Sequence, residues 1–231
     1  MKNFIKFLIA FMLLNFVHLA SLWAGEAATL VNMVGGKITV IKANKDTVVL
    51  KLNDKVEEGD TIVTAKDTFA MFKFTDNAET ILRPDTEFKI IEHKFVSDDP
   101  SKDKTTSQLV NGGLRRLTGL CGKRGNPDAD KLVTATATVG IRGTIYDVIH
   151  CAGGSGCEKL EKGTYFRVKD GEISIKNDAG EISISKGQYA QVASPTSKPI
   201  VLPKDPGFPH IAPHKSMKLN TTDGSTMCSI I

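Results

Sequence analysis

The sequence predicts an all-β fold of short stacked strands, roll- or solenoid-like, with hairpins. Three observations carry that expectation. From residue 28 to residue 194, short apolar-periodic runs alternate with Gly, Asp and Asn punctuation, the pattern of many short strands. Beyond the first two dozen residues, no stretch sustains an apolar i, i+3, i+4, i+7 spacing over ten residues, so no amphipathic helix is expected. Finally, Glu172-Ile-Ser-Ile-Lys-Asn-Asp-Ala-Gly-Glu-Ile-Ser-Ile184 places two alternating runs around Asn177-Asp-Ala-Gly180. Its Asn, Asp and Gly tolerate a positive φ, which makes the segment a β-hairpin.

The elements follow in order. Lys2 and Lys6 precede an apolar run from Phe7 to Val17, and small residues follow at Ala20, Ser21, Ala24, Gly25, Ala27 and Ala28. This is the layout of a secretory signal peptide over residues 1–24, cleaved after Ala24 or Ala27. Lys6, Asn15 and His18 interrupt the run, which is too short for a membrane helix of about 20 apolar residues. Mature chains are expected to be periplasmic or secreted, with no membrane span. Lys37-Ile-Thr-Val-Ile41, Val48-Val-Leu-Lys-Leu52, Phe69-Ala-Met-Phe-Lys-Phe74 and Glu87-Phe-Lys-Ile-Ile91 then alternate, each able to bury one face and wet the other. Gly36-Lys-Ile-Thr-Val40 echoes Gly171-Glu-Ile-Ser-Ile175, a self-similarity compatible with stacked coils. Val96 to Thr106 is polar and reads as an exposed loop. Residues 28–194 thus form one β domain, and 195–231, with six prolines, form a tail without the pattern of a packed core.

The charge balance is 30 basic against 26 acidic residues, too even to imply a nucleic-acid partner. Arg115, Arg116, Lys123 and Arg124 cluster locally and read as a solvated loop. Four cysteines in an exported chain suggest disulfides. Cys151 and Cys157 flank a flexible Ala-Gly-Gly-Ser-Gly linker, which leaves Cys121 with Cys228. A metal site on His150, Cys151 and Cys157 is the alternative, but it lacks an evident fourth ligand.

Catalytic constellations are not found. Around Ser155, Cys157 occupies the last Gly position of a G-x-S-x-G nucleophile elbow and no strand–turn–helix frames it, and Gly122-Lys123 lacks the rest of a phosphate loop. The chain is expected to be no enzyme and to need no cofactor. The stretch that stands out is Thr134-Ala-Thr-Ala-Thr-Val-Gly-Ile-Arg-Gly-Thr-Ile-Tyr-Asp-Val148, where Gly140 and Gly143 bracket Ile141-Arg142. Glycines at this spacing permit a kink or bulge. Arg142 is expected to act mainly as a structural clamp on that kink, its guanidinium donating several hydrogen bonds.

This run, with Thr138, Gly140, Arg142, Gly143 and Thr144, resembles the hallmark of the FecR domain family. Val56-Glu-Glu-Gly-Asp-Thr-Ile-Val-Thr64, Phe69 to Asp76, Pro84 to Phe88, Gly171 to Ile175 and Lys186-Gly-Gln-Tyr-Ala190 resemble its other strands, so the likeness covers Leu30 to Val192. It implies a solenoid-like periplasmic β module, best known in regulators that relay a signal to a sigma factor. Asn77 stands where that pattern usually has Gly, and neither a cytoplasmic helical domain nor an internal membrane span is recognisable. The expectation is therefore a free-standing scaffold that binds an envelope or secreted protein, or a cell-envelope polymer. A signal-transduction component with separately encoded partners is one alternative. A carbohydrate-binding module is another, although Tyr146, Tyr165 and Tyr189 are the only tyrosines available as a stacking platform.

Overall fold

Strands make up the chain in the computed structural model, which describes residues 25–124, 126, 128–152, 157–209, 217 and 219. The leader expected over residues 1–24 lies outside the described residues. No α-helix occurs among the described residues, only a 3-10 turn at Pro100–Lys102, and no helix is long and apolar enough to cross a membrane. The all-β expectation holds.

In chain order the strands are β1 (Glu26–Val34), β2 (Ile38–Ile41), β3 (Thr47–Val49), β4 (Lys55–Glu57), β5 (Thr61–Thr64), β6 (Phe69–Phe74), β7 (Glu79–Leu82) and β8 (Glu87–Lys94). They continue with β9 (Lys104–Leu117), β10 (Asp130–Thr134), β11 (Thr138–Cys151), β12 (Gly163–Asn177), β13 (Gly180–Ser185), β14 (Tyr189–Val192) and β15 (Ile200–Leu202). All belong to one hydrogen-bonded sheet. Pairing is antiparallel except between β9 and β10. Turns between the short strands use residues that accept a left-handed backbone, such as Asn77 at φ 65°. There Asp76 Oδ1 also accepts the Ala78 N–H at 3.1 Å, so Asn serves where a Gly is expected.

Three long strands organise the rest. The first half of β9 pairs with β8 and β10, and its second half with β7 and β11. The first half of β11 pairs with β10, while its second half pairs with β9. Strand β12 stays beside β11 but gives one half to β14 and the other to the hairpin strand β13. The sheet therefore rolls over at these strands, and its inner faces share one core. Leu30, Val40, Ile62, Phe72, Phe88, Leu109, Val139, Phe166, Ile173 and Ile175 belong to that core, each at 1% exposure or less. Alternation explains the choice of side: in the hairpin, Ile173 opposes Ile184 and Ile175 opposes Ile182, so the isoleucines face inward and the polar residues outward.

The basic cluster is not a solvated loop, contrary to expectation. Arg116 is fully buried, with Nη1 donating to Thr80 Oγ1 at 3.0 Å and the guanidinium 4.7 Å above the Phe74 ring. Arg115 lies against Asp147. Arg124 donates to Asp103 Oδ2 (2.6 Å from Nη2) and to the carbonyls of Val96 and Ser97 (both 2.7 Å). These contacts pin the segment expected to be an exposed loop, and β9 starts within it at Lys104. A buried cation persists where partners replace its water shell, and each of these three has them.

Candidate functional site

The kink predicted at the glycine pair exists, and its clamp is Thr144 rather than Arg142. The β11–β12 register slips between Arg142 and Ile145, and Gly143 takes φ 58°. Thr144 is fully buried. Its hydroxyl is shared between the carbonyl oxygens of Arg142 at 2.9 Å and Glu172 at 2.7 Å. Its N–H donates to Thr118 Oγ1 at 3.1 Å, while Thr118 Oγ1 lies 2.8 Å from the Thr144 carbonyl. Across the bend, Gly171 has φ 79°, and a Cβ there would stand 2.8 Å from the Gly143 carbonyl oxygen. Buried hydroxyls and close backbones thus fix the bend.

Arg142 is exposed, and its guanidinium makes no hydrogen bond or ion pair with any described residue. This overturns the clamp reading. With Oγ1 of Thr144 already bridging the two strands, the kink leaves the arginine nothing to hold, and the alternation of β11 sends it outward between the buried Ile141 and Thr144.

Outward lies a trough of about 460 Å³ on the outer face of β10 to β13. Its floor is one cross-strand row: Lys131 opposes Gly140, Gly140 opposes Ser174, and Ser174 opposes Ser183. One wall is Thr138, Lys176 and Glu181, which are likewise consecutive partners across the strands. The other is Arg142 with Glu172. Thr138 and Arg142 are four residues apart on one strand, so the walls stand about 13 Å apart, wide enough for an extended chain laid across the strands. Gly140 keeps the floor low, because a Cβ there would come within 2.6 Å of Ser174 Oγ.

The charges around the trough are unequally engaged. Lys131 Nζ pairs with Asp128 at 3.0 Å, and Lys176 Nζ lies 3.8 Å from Glu181. Glu172 accepts from Ser185 Oγ at 3.1 Å. Arg142 alone of the lining cations keeps all its donors for an incoming group, and a guanidinium fork matches a carboxylate or phosphate. The lining holds no histidine and no aromatic ring. A sugar ring therefore has nothing to stack on in this trough. Tyr146 and Tyr165 are buried in the protein instead.

Of the residues singled out in the sequence, Thr138, Gly140 and Arg142 meet at this trough, while Gly143 and Thr144 build the bend beneath it. Lys131, Lys176, Glu181 and Ser183 belong to no quoted motif, and Glu172 and Ser174 enter only as part of the Gly171 to Ile175 strand. For all but Lys131, which stands on β10, the signal is the polar half of the alternation in the 172–184 hairpin.

Cys151 and Cys157 form the expected disulfide, which consumes both thiols that the alternative metal site requires. His150 Nδ1 instead lies 2.9 Å from Thr164 Oγ1. Cys121 is a free, buried thiol with Sγ 3.7 Å from the Lys94 carbonyl, and burial pushes its pKa up to about 12. Cys228, the partner expected for it, lies outside the described residues.

No family model matches the chain and no curated protein matches it. Two crystal structures of a candidate anti-sigma factor from Parabacteroides distasonis are similar at TM-scores of 0.49 and 0.48, with 13% and 12% identity. Each alignment covers 64% of this chain and 61% of the other, so the chain spans about three fifths of those proteins. A cell surface anchoring domain is similar at a TM-score of 0.26 and 24% identity, over 27% of this chain and 82% of that one. At these scores and identities, none of them assigns a family or an activity.

Proposed function

We propose that the chain is a non-catalytic, exported binding protein of FecR-like design whose trough recognises an acid-bearing partner, an envelope or secreted protein or a cell-envelope polymer. One observation carries this reading: the exposed guanidinium of Arg142, without a partner among the described residues, stands over a floor of Gly140, Ser174 and Ser183. The fold invests in holding that floor open and flat. Small polar residues, not bulky ones, occupy the central row, and backbone bonds across the hairpin keep it rigid. Export is supported by the charged and apolar start of the sequence and by the Cys151–Cys157 disulfide, which persists in an oxidising compartment.

The test is affinity purification from the native envelope with cross-linking, comparing the unaltered chain with Arg142→Glu. Retained material should fall at least about tenfold for the variant, as expected when a charge-assisted contact of roughly 1.5–3 kcal/mol is lost. The thermal midpoints should coincide. Equal retention by both chains would contradict the proposal, and recovery of a receptor or regulator would place the binding within a signalling assembly.

A further inference from the structure

The outer face of the other half of the sheet carries a second feature, independent of the trough. Arg167, Asp147, Arg115, Ile81 and Met71 are consecutive cross-strand partners on β12, β11, β9, β7 and β6. They form one row, charged at one end and apolar at the other. The tail engages both ends. At the charged end, Asp205 Oδ1 accepts the N–H groups of Gly207 and Phe208 at 2.9 and 2.7 Å, making a turn that aims Phe208 at the sheet. Asp205 Oδ2 lies 4.0 Å from Arg167 Nη1, and the Arg167 guanidinium sits 4.7 Å from the centre of the Phe208 ring. At the apolar end, Met217, 2% exposed, and Leu219 pack on Met71, Ile81, Val34 and Phe69.

The spacing fits. Arg167 and Met71 are four strands apart, about 19 Å at 4.8 Å per strand, and the nine residues from Phe208 to Met217 reach up to about 30 Å when extended. Pro203, Pro206, Pro209 and Pro213 punctuate the tail, and proline cannot donate to a ladder. Past β15 the described tail is held by side-chain anchors, not by strand pairing. The face also keeps an excess of cations at its charged end. Lys169 follows Arg167 on the same side of β12, and its pKa is lowered by burial and then by Arg115.

We propose that this row is a bipartite docking face that the chain's own tail occupies in cis, and that an extended partner peptide of the same chemistry exchanges with it. The partner carries an acidic residue and an aromatic ring for the Arg167 end. About nine residues later it carries a methionine or leucine for the hollow over Met71 and Ile81. A tail held at Asp205, Phe208, Met217 and Leu219 among the described residues masks the apolar hollow until a partner competes for it, as in strand- and groove-directed peptide recognition.

The test uses the full chain and a fluorescent synthetic peptide of its residues 203–221. Met217→Asp frees the hollow, so this variant should bind the peptide at least about tenfold more tightly than the unaltered chain, which must first release its tail. Adding Met71→Asp should abolish binding. A second measurement needs no variant. In methyl-labelled methionine spectra of the unaltered chain, excess unlabelled peptide should leave the Met71 methyl near its position, since the peptide's own methionine takes the same place, and move the Met217 methyl to a solvent-exposed position. Failure of the peptide to bind a Met217→Asp chain that still melts cooperatively would overturn the proposal. So would an unmoved Met217 methyl at saturating peptide.

Discussion

Arg115 meets Asp147 side-on, with Nε 2.7 Å from Oδ1 and Nη2 3.1 Å from Oδ2. Asp147 is wholly buried and also accepts from Arg167, whose Nε lies 2.8 Å from Oδ2. One carboxylate thus serves two guanidiniums, one on each strand beside its own. Asp147→Asn should leave two partly buried cations without their anion and destabilise the fold by about 2–4 kcal/mol, the buried-pair range discounted for the partial exposure of both arginines. Denaturant midpoints measure this; a loss below about 0.5 kcal/mol would show that the pairs contribute no more than surface ones.

The bend should be sensitive at one glycine and tolerant at another. Gly171→Ala forces a Cβ onto a left-handed backbone and against the Gly143 carbonyl, at a cost of about 2 kcal/mol or more. Gly140 has an ordinary φ, and the atom in its way is a rotatable hydroxyl, so Gly140→Ala should stay within about 1 kcal/mol. Melting curves of the two variants, recorded side by side, give the comparison.

Reducing the Cys151–Cys157 disulfide opens a ring with a sequence separation of 6. The chain-entropy relation gives about 2 kcal/mol for so small a loop. The expected result is a lower unfolding midpoint with the strand content unchanged. Collapse of the β signal in circular dichroism on reduction would mean that the bridge holds more than its own corner.

Asp130 is buried, and that burial pushes its pKa up to about 6, against the pull of Arg116, whose Nη2 is 3.6 Å away. The folded chain therefore keeps this proton at pH values where the unfolded chain, with a pKa near about 4, has released it. The linked stability is present in acid and is lost as the pH rises through about 6. Shifting from about pH 7.5 to about pH 5 should stabilise the unaltered chain by on the order of 1 kcal/mol more than Asp130→Asn, measured from paired denaturation curves. No difference between the two would show that Asp130 stays ionised beside Arg116.

Alternation makes the hairpin and the inward isoleucines legible in the sequence, because a period of two assigns each residue a side. The same rule points Arg142 outward, yet the flanking glycines suggest a clamp, and a clamp needs burial. Thr144 is hidden as such because a threonine in a strand is ordinary; only the register slip shows that its hydroxyl bridges two carbonyls. Arg115 and Arg116 are adjacent and so face opposite sides of β9, which the sequence displays. Their partners Asp147 and Asp130, however, lie on other strands, beyond the reach of local pattern. The tail likewise reads as unpatterned, since single anchors such as Phe208 and Met217 have no period.

The central claim is that the trough beside Arg142 is where this protein meets its partner. Amide chemical-shift mapping of the labelled chain, titrated with whatever the envelope purification retains, tests it most directly. The expected result is perturbation concentrated at Gly140, Arg142, Ser174, Lys176 and Ser183. Shifts confined to the exposed edge at Val48 and Val49, with those five unmoved, would contradict it.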